Sequence, residues 1–260
     1  MASLNDIQRT AQEQFDKQSG RYGKDHILAD TSDVAAIVAR VPQGQGKRAL
    51  DVATGAGHTG LYLASQGWQV TLADISQSML ERARVAAAER GLTVEAREHT
   101  AESFPYADAT FDLVTCRVAA HHFSSPEAFV RESARVLRSG GSLIVIDGSV
   151  EDDQPEAEEW IHRVEKLRDP SHNRFVTPRR WAGYCGRAGL RVLVSELQPF
   201  KQPDLNWYLD VANTPAETRA QIFKLVHAAP DSARKLFRLT EEDGKIVWWW
   251  RRLSLLAAKP

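Results

Sequence analysis

The sequence predicts an α/β fold built on a doubly wound, mostly parallel sheet, and three observations support this. Between about residues 48 and 147, short apolar runs alternate regularly with segments of helical periodicity. The apolar runs are nearly continuous, which is typical of parallel strands that are covered on both faces. Glycines close most of the helical segments. Because strand–helix–strand crossovers are right-handed, these units wind helices onto both faces of one sheet.

The elements of this region can be taken in order. The predicted strands are RALDVA, WQVTLAD, LTVEARE, FDLVTC and SLIVID. The predicted helices between them are HTGLYLASQG, SQSMLERARVAAAERG and PEAFVRESARVLRSGG. Ser76 or Ser78 can cap the second helix and Gly91 can end it, while the third is expected to end at its glycine pair.

The segments on either side are less regular. Ile7, Ala11 and Phe15 have the spacing of one helix face, which predicts a short N-terminal helix. TPRRWAGYCGRAGL is expected to be a helix with Thr177 as its cap, RVLVSEL a sixth strand and IVWWWRRLSLLAAK a final strand. Residues 151–176 have no clean period, and residues 199–245 read as short helices separated by prolines.

The composition narrows the class of function. The 260 residues carry a formal net charge of −1, so neither a basic nucleic-acid surface nor an acidic tail is indicated. Arg179-Arg180 and Arg251-Arg252 are the only pairs of adjacent arginines that could begin a local basic patch, and such pairs are usually solvated. The two cysteines, Cys116 and Cys185, suggest neither a disulfide framework nor a metal cluster. With no signal peptide and no apolar stretch of about 20 residues, we expect a cytoplasmic protein without a membrane partner.

The segment LDVATGAGHTG marks a candidate ligand site. It lies where a predicted strand turns into a helix, and Gly55, Gly57 and Gly60 spell GxGxxG. Glycines at such a turn allow a ligand to approach the backbone, and the helix offers unpaired N–H groups. Asp74 ends the next strand, where a carboxylate can accept hydrogen bonds from both hydroxyls of a ribose. A nicotinamide-dependent oxidoreductase and a methyltransferase would both fit this arrangement.

Asp51, the acid before the glycines, separates the two alternatives. LDVATGAGHTG resembles motif I of the class I S-adenosylmethionine-dependent methyltransferases, with Ala53 in place of the first family glycine. Further segments resemble family motifs in the right order: Asp74-Ile75 with Ser78-Met79, TAESFPY at 100–106, FDLV at 111–114 and LRSGG at 137–141. The string CRVAAHHF at 116–123 resembles the ubiquinone/menaquinone-biosynthesis type (methyltransferase type 11) subgroup.

The resemblance implies a cofactor site for S-adenosylmethionine, with S-adenosylhomocysteine as the product. Its residues would be Tyr22, Asp51, Ala53, Thr54, Gly55, Gly57, Asp74, Ile75, Met79, Ala101, Glu102, Arg117 and Val118. The turn from Ala53 to Gly57 would hold the methionine part. Asp51 would anchor that turn and reach the amino group, and Asp74 would bind the ribose.

The remaining roles also follow from the resemblance. Ile75 and Met79 would pack on the adenine, with Ala101 and Glu102 at its edge. The pair Arg117 and Val118 would line the methionine side. Tyr22 would belong to an N-terminal lid, as would Phe15 unless it only packs its helix.

His121 and His122 are the catalytic candidates. A general base is needed only for a hydroxyl or a weakly acidic carbon, and histidine titrates in the suitable range. The same pair also fits a helix cap or a packing element, so both interpretations stay open. His172 is a second candidate base, and no metal site is expected because adjacent histidines point apart.

The resemblance also implies a Rossmann-like, seven-stranded, mostly parallel sheet with an antiparallel last strand and helical cap insertions. One methyltransferase domain would contain a lid (1–47), a cofactor core (48–150), an acceptor-side cap (151–180 and 199–245) and the end of the sheet (181–198 and 246–260). The expected partner is a small-molecule acceptor methylated on O, C or N, the expected state a monomer or homodimer. A non-catalytic cofactor-binding module is the remaining alternative.

Overall fold

The computed structural model describes residues 4–21, 27–42 and 44–260. Seven of its strands form one sheet: β1 (Arg48–Val52), β2 (Gln69–Asp74), β3 (Glu95–Glu98), β4 (Phe111–Arg117), β5 (Leu137–Ser149), β6 (Arg191–Lys201) and β9 (Trp249–Ala258). A separate hairpin pairs β7 (Thr240–Glu242) with β8 (Lys245–Val247).

The described helices surround this sheet. They are α1 (Asp6–Gln18), α2 (Ser32–Val38), α3 (His58–Ser65), α4 (Gln77–Glu89), α5 (Pro126–Val136), α6 (Pro155–Arg168), α7 (Pro178–Arg187), α8 (Leu205–Val211), α9 (Ala216–His227) and α10 (Asp231–Leu236). Short 3-10 turns cover Ser19–Arg21, Ile27–Ala29 and Ala120–His122. Among the described helices, none is long and apolar enough to cross a membrane.

The strand order is β3-β2-β1-β4-β5-β9-β6. Strands β1 to β5 pair in parallel, and β9 runs antiparallel to both β5 and β6. This confirms the predicted Rossmann-like sheet with its antiparallel last strand. Because β6 therefore points the same way as β1 to β5, the carboxyl ends of six strands meet at one edge, where ligands bind in open α/β sheets.

Both faces of the sheet are covered. On one face, α5 and α7 contribute Phe129 and Trp181 to a cluster that includes side chains of β1, β4, β5 and β9. On the other face, Ile37, Leu63 and Leu80 of α2, α3 and α4 pack in a second cluster. Central strands with two buried faces explain why the sequence runs are continuous rather than alternating.

A third cluster joins the helices that follow β5 and β6. Trp160 and Val164 of α6 pack with Tyr208 of α8, Ile222 of α9 and Phe237 of α10. The residues at the centre of this cluster come from the segments predicted as a cap. The proposed division of the chain into lid, core and cap stays a prediction.

Helix α6 was not predicted, although its inward face has helical spacing. Ala157, Trp160, Ile161 and Val164 are buried there. Four charged residues among the first nine, together with the buried Glu165, obscured that period in the sequence. The missed helix lies directly beside the candidate site.

Three predicted boundaries were wrong. Helix α5 ends at Val136 and β5 begins immediately, because Leu137 already pairs with Phe111 of β4. The helix predicted to run through the glycine pair to Gly141 therefore ends five residues earlier, at Val136. Strand β6 runs to Lys201 instead of ending at Leu197, and the β7–β8 hairpin lies within residues 199–245, where the short helices predicted between prolines are confirmed as α8, α9 and α10. The final strand begins at Trp249, because Lys245–Val247 pairs with β7 instead.

Candidate functional site

A cavity of about 630 Å³ opens at the carboxyl edge of the sheet. Twelve of the fifteen residues predicted for the cofactor and catalytic sites line it: Ala53, Thr54, Gly55, Asp74, Ile75, Met79, Ala101, Glu102, Arg117, Val118, His121 and His122. Asp51 and Gly57 are not on its wall. Tyr22 lies outside the described residues. The structure thus brings residues from five separate sequence segments to one place.

The turn after β1 forms the floor of the cavity. Ala53, Gly55 and Gly57 have φ values of 53°, 54° and 88°, all in the left-handed region. The N–H of Thr54 donates to the carbonyl of Ala73, which fixes the turn against β2. Repeated left-handed backbone explains the need for small residues here.

Asp51 holds this turn from beneath. Its carboxylate accepts hydrogen bonds from Thr54 Oγ1 at 2.5 Å, Thr115 Oγ1 at 2.7 Å and the N–H of Gly60 at 3.0 Å. Burial raises the pKa of this carboxyl against the effect of those donors. The expectation that Asp51 anchors the turn fits this geometry, and because Asp51 is buried behind the cavity wall, its predicted contact with a ligand amino group, directly or through water, stays a prediction.

Asp74 lies on the cavity wall at the end of β2. It accepts hydrogen bonds from the N–H of Gly55 at 2.8 Å and from the N–H of Ser76 at 2.9 Å. Burial raises the pKa of this carboxyl to about 6. An ionised carboxylate in this position has remaining lone pairs for hydroxyl donors in the cavity.

Helix α1 covers one side of the cavity. Gln8 donates to Glu102 at 2.7 Å, and Gln12 donates to the carbonyl of Ile75 at 2.8 Å. Glu102 also accepts the N–H and hydroxyl of Ser124, each at 2.8 Å. The carboxylate of Glu102 therefore ties α1 to the segment before α5, in addition to lining the cavity.

On another side of the cavity, two arginines bind a single carboxylate. Arg117 donates to Asp33, with its closest nitrogen 2.8 Å away, and to the carbonyls of Leu28 and Asp30 at 2.7 and 2.6 Å. Arg252 of β9 also donates to Asp33 at 3.2 Å, and its guanidinium lies 3.8 Å from the ring centre of Phe200. The side chains of Arg117, Asp33 and Arg252 are 6%, 16% and 16% exposed, so this cluster is largely buried.

Sequence reasoning missed Arg252 as a site residue. The pair Arg251-Arg252 was interpreted as surface charge, but both side chains are only 16% exposed. They point to opposite faces of β9, and Arg251 pairs with Glu151. Only the alternation of side chains along a strand could have placed Arg252 at the site. The tryptophans that precede it in the sequence obscured that alternation.

His121 is held by Asp147 at the end of β5. The Nδ1 atom of His121 lies 2.7 Å from one carboxylate oxygen, and its backbone N–H donates to the other at 2.9 Å. Burial alone lowers the pKa of His121, but the charge and hydrogen bond of Asp147 outweigh it and raise the pKa above its ordinary value. No described residue hydrogen-bonds Nε2, so this atom remains available to a ligand.

His122 is in a different environment. Its Nδ1 atom lies 3.0 Å from Ser171 Oγ, and Phe15 packs edge-on against its ring with centroids 4.9 Å apart. Burial and the neighbouring His121 lower its pKa to about 4. His172, the second candidate base, does not line the cavity and has its Nε2 atom 3.1 Å from His162 Nδ1. The structure thus favours His121 over the other two as a proton acceptor.

Residues of the predicted cap, together with Trp250 of β9, form the opposite wall. The cap residues that line it are Arg168, Asp169, Phe200, Gln202, Trp207, Tyr208, Asp210, Val211 and Ala212. Aromatic walls with a few polar groups are typical of small-molecule sites. No group of three or more His, Cys, Asp or Glu able to hold a metal ion is present in the part of the chain that the structure describes.

Comparison with known proteins agrees with this geometry. A methyltransferase domain model matches residues 50–145. The uncharacterized methyltransferase YcgJ of Bacillus subtilis is 32% identical over 228 residues, which cover 87% of this chain and 89% of that one. The crystal structure of YcgJ matches with a TM-score of 0.82 at 29% identity, covering 88% of this chain and 99% of that chain.

The chain belongs to the class I S-adenosylmethionine-dependent methyltransferases.

Two further relatives are more distant. The demethylmenaquinone methyltransferase of Deinococcus radiodurans is 32% identical over 161 residues, 61% of this chain and 63% of that one. Geranyl diphosphate C-methyltransferase from Streptomyces coelicolor shares the fold, with a TM-score of 0.70 at 12% identity and full coverage of both chains. Family membership makes the chain a methyltransferase enzyme and implies S-adenosylmethionine as its cofactor. It does not favour the nicotinamide-dependent alternative.

Proposed function

We propose that this enzyme transfers a methyl group from S-adenosylmethionine to a hydroxyl group of a small-molecule acceptor. The observation that carries the proposal is that the turn at Ala53–Ala56, Asp74 and His121 line one cavity, with the ring of His121 held from behind by Asp147. A base held in position is needed for a hydroxyl acceptor and not for a neutral amine, so the pair favours oxygen over nitrogen.

The residues of the cavity fit the cofactor. Asp74 presents a carboxylate for the ribose hydroxyls, and Ile75 and Met79 offer apolar surface for the adenine. Replacing Gly55 would strain the backbone, because its φ of 54° disfavours a side chain. When bound, S-adenosylmethionine supplies the methyl group: its carbon–sulfur bond breaks as the new carbon–oxygen bond forms, and the electron pair stays on sulfur.

Arg252 is our candidate for the carboxylate of the methionine end. Arg117 and Arg252 share the carboxylate of Asp33, so two largely buried guanidinium groups bind one carboxylate. Arg117 uses its donors on Asp33 and two backbone carbonyls, whereas Arg252 donates to Asp33 through Nη1 alone within the described structure. A ligand carboxylate would form a charge-assisted hydrogen bond with a guanidinium group that the fold already holds out of water.

His121 acts as the general base in this proposal. Its Nε2 takes the proton of the acceptor hydroxyl, and Asp147 stabilises the resulting imidazolium from the other side of the ring. The cap and α1 exclude water from the cavity and hold the acceptor in line, which can contribute several kcal/mol to catalysis. The proton then leaves to solvent when the cavity opens.

The wider expectations remain proposals. The acceptor is a small molecule, and no nucleic acid or membrane partner is needed. All groups named above come from one chain, so either a monomer or a homodimer is compatible. Membership in the quinone-biosynthesis subgroup stays a prediction.

A melting experiment tests the proposed cofactor against the alternative. Ligand binding to the folded state stabilises it by about 2.7 kcal/mol at a concentration of 100 times Kd. We expect S-adenosylhomocysteine to raise the melting temperature and isothermal titration calorimetry to give a micromolar Kd. NAD and NADP should leave the melting temperature unchanged. A shift with NAD but none with S-adenosylhomocysteine would refute the proposal.

A further inference from the structure

The end of β6 contributes a polar residue to an otherwise aromatic wall. Phe200 of β6 pairs across the strands with Trp250 of β9, and Gln202 follows Phe200 by two positions. Side chains two positions apart in an extended chain point to the same face, and all three residues line the cavity. The N–H of Gln202 donates to the carbonyl of Trp248 at 2.9 Å, which holds its backbone in place.

The side-chain amide of Gln202 has no hydrogen-bond partner in the described structure, although the residue is only 3% exposed. Its nitrogen and oxygen are not sealed off from the cavity, unlike the buried unpaired atoms elsewhere. A buried amide without a partner costs free energy, and glutamine has two donor and two acceptor positions to satisfy. A ligand group in the cavity is the natural partner.

The neighbouring rings shape this part of the cavity. Trp250 packs edge-on against Tyr208, with ring centroids 5.6 Å apart. Phe200, Trp207 and Trp250 present largely apolar surface to the cavity. Flat aromatic surfaces of this kind favour flat ligands.

The charged residues on the cap wall are already engaged within the protein. Arg168 donates to Glu165 at 3.3 Å and stacks on Tyr208, with 3.8 Å between its guanidinium and the ring centre. Asp210 pairs with Arg219 at 2.5 Å. These pairs offer no excess positive charge to an anionic acceptor.

Asp169 adds a negative charge to the same wall. Its carboxylate accepts the N–H and hydroxyl of Ser171 at 2.9 and 2.6 Å. Burial opposes ionisation, but the hydrogen bonds from Ser171 and the charge of Arg168 favour it, and the pKa of Asp169 is lowered. An anionic group bound beside this carboxylate would be repelled.

We infer that Gln202 anchors the acceptor, which is an uncharged aromatic compound carrying the reactive hydroxyl and a second polar group, such as a carbonyl, that bonds the Gln202 amide. The inference rests on the proposed function, since it places the acceptor in the cap half of the same cavity. His121 meets the hydroxyl, Gln202 meets the second polar group, and the aromatic side chains cover the ring.

Three matched phenols test this inference by ligand-observed NMR on protein saturated with S-adenosylhomocysteine. Para-hydroxyacetophenone carries an uncharged carbonyl, para-ethylphenol lacks it, and para-hydroxybenzoate carries a carboxylate. We expect para-hydroxyacetophenone to bind about tenfold more tightly than para-ethylphenol, from one additional hydrogen bond in a buried site. We expect para-hydroxybenzoate to bind most weakly.

Variants assign the preference to Gln202. Gln202→Leu should remove the difference between para-hydroxyacetophenone and para-ethylphenol, and Gln202→Glu should also remove it because the amide donors are lost. Gln198→Leu is the matched control, since Gln198 is exposed on the same strand and should leave the preference intact. Unchanged affinity for S-adenosylhomocysteine in each variant verifies that the fold survives.

The outcomes separate the two proposals. Strongest binding of para-hydroxybenzoate, a carbonyl preference that survives Gln202→Leu, or no binding of any phenol would overturn the inference. Failure of the wild-type protein to bind S-adenosylhomocysteine would instead refute the proposed function.

Discussion

Asp147 holds His121 at two points, through the ring atom Nδ1 at 2.7 Å and through the backbone N–H at 2.9 Å. One carboxylate therefore fixes both the orientation of the imidazole ring and the position of its backbone. With Nδ1 engaged, Nε2 is the ring atom that can exchange a proton with the cavity. This relationship supports the proposed catalytic role of His121 over simple packing of the histidine pair.

The pKa of His121 should depend on Asp147. Burial lowers this pKa while Asp147 raises it, and the effect of Asp147 prevails. In Asp147→Asn the burial remains but the charge is lost, so the pKa should fall below the ordinary value of about 6.5. NMR titration of the histidine ring signals in wild-type and variant protein measures this. A His121 pKa that does not change in Asp147→Asn would contradict the electrostatic role of that residue.

Loss of His121 should slow transfer to a hydroxyl. General-base catalysis typically contributes about 10²- to 10⁴-fold to a rate, so kcat of His121→Gln should fall by at least about 10²-fold. Release of S-adenosylhomocysteine with a phenolic acceptor gives the rate. In the wild type, kcat should rise with pH as His121 loses its proton. His227→Gln, outside the cavity, is the control, and a variant of His121 with full activity would exclude it as the base.

Binding of S-adenosylhomocysteine should weaken in acid because of Asp74. Its pKa is raised by burial to about 6, so protonation below that pH removes an acceptor for the ribose hydroxyls. Ligand binding favours the ionised form, so Kd should rise up to about tenfold per unit of pH below 6. Calorimetry between pH 5 and pH 8 measures this dependence.

Two variants support the Asp74 experiment. Asp74→Asn should bind more weakly at pH 8 and should lose the dependence below pH 6. Glu98→Gln changes an exposed carboxylate at the end of the adjacent strand and should behave as wild type. An acid dependence that persists in Asp74→Asn would assign the effect to another group.

The cofactor half of the cavity was predictable from sequence because its signals are local. Asp51, the glycine turn and Asp74 lie within two consecutive strand–helix units, and their residue types follow from the left-handed backbone and the strand ends. Asp147, Arg252 and Gln202 carry no such signal. Strand pairings between β5, β9 and β6 bring Arg252 and Gln202 to the cavity wall and Asp147 behind His121, although these residues lie far apart in the chain.

The difference between local and long-range signals also explains which predictions from the sequence were wrong. Helix α5 ended earlier than its glycine pair suggested because Leu137 joins β4 in the sheet, a long-range contact that outweighs local preference. His172 has a residue type suited to a base, but packing places it behind His121, with ring centroids 5.5 Å apart. Residue type alone could not separate these histidines.

Arg252 should recognise the amino-acid end of the cofactor. S-adenosylhomocysteine has a methionine-type carboxylate, whereas methylthioadenosine lacks the amino-acid part. Charge-assisted hydrogen bonds contribute about 1.5–3 kcal/mol, so Arg252→Gln should raise the Kd for S-adenosylhomocysteine by roughly 10- to 100-fold. The Kd for methylthioadenosine should stay within about twofold, because it makes no contact with the arginine.

The neighbouring arginine provides the control. Arg251→Gln removes a charge from the opposite face of β9 and should leave both affinities unchanged. Equal weakening of both ligands in Arg252→Gln would indicate a disturbed fold rather than a carboxylate contact. Equal affinity for S-adenosylhomocysteine in wild type and variant would rule out the assignment.

The substitution Ala53→Gly tests how much the left-handed backbone of the turn after β1 lowers the free energy of unfolding. Its φ of 53° lies in the left-handed region, which costs an L-residue about 1–2 kcal/mol relative to glycine. Replacing alanine by glycine loses about 0.4–1 kcal/mol through the entropy of the unfolded chain. Ala53→Gly should therefore increase the free energy of unfolding by about 0.5–1 kcal/mol, measured by denaturant titration. Ala109→Gly, at a φ of 51°, should gain a similar amount, and Ala64→Gly within α3 should lose about 1 kcal/mol. Destabilisation by Ala53→Gly would show that the alanine methyl group contributes packing that outweighs the backbone strain.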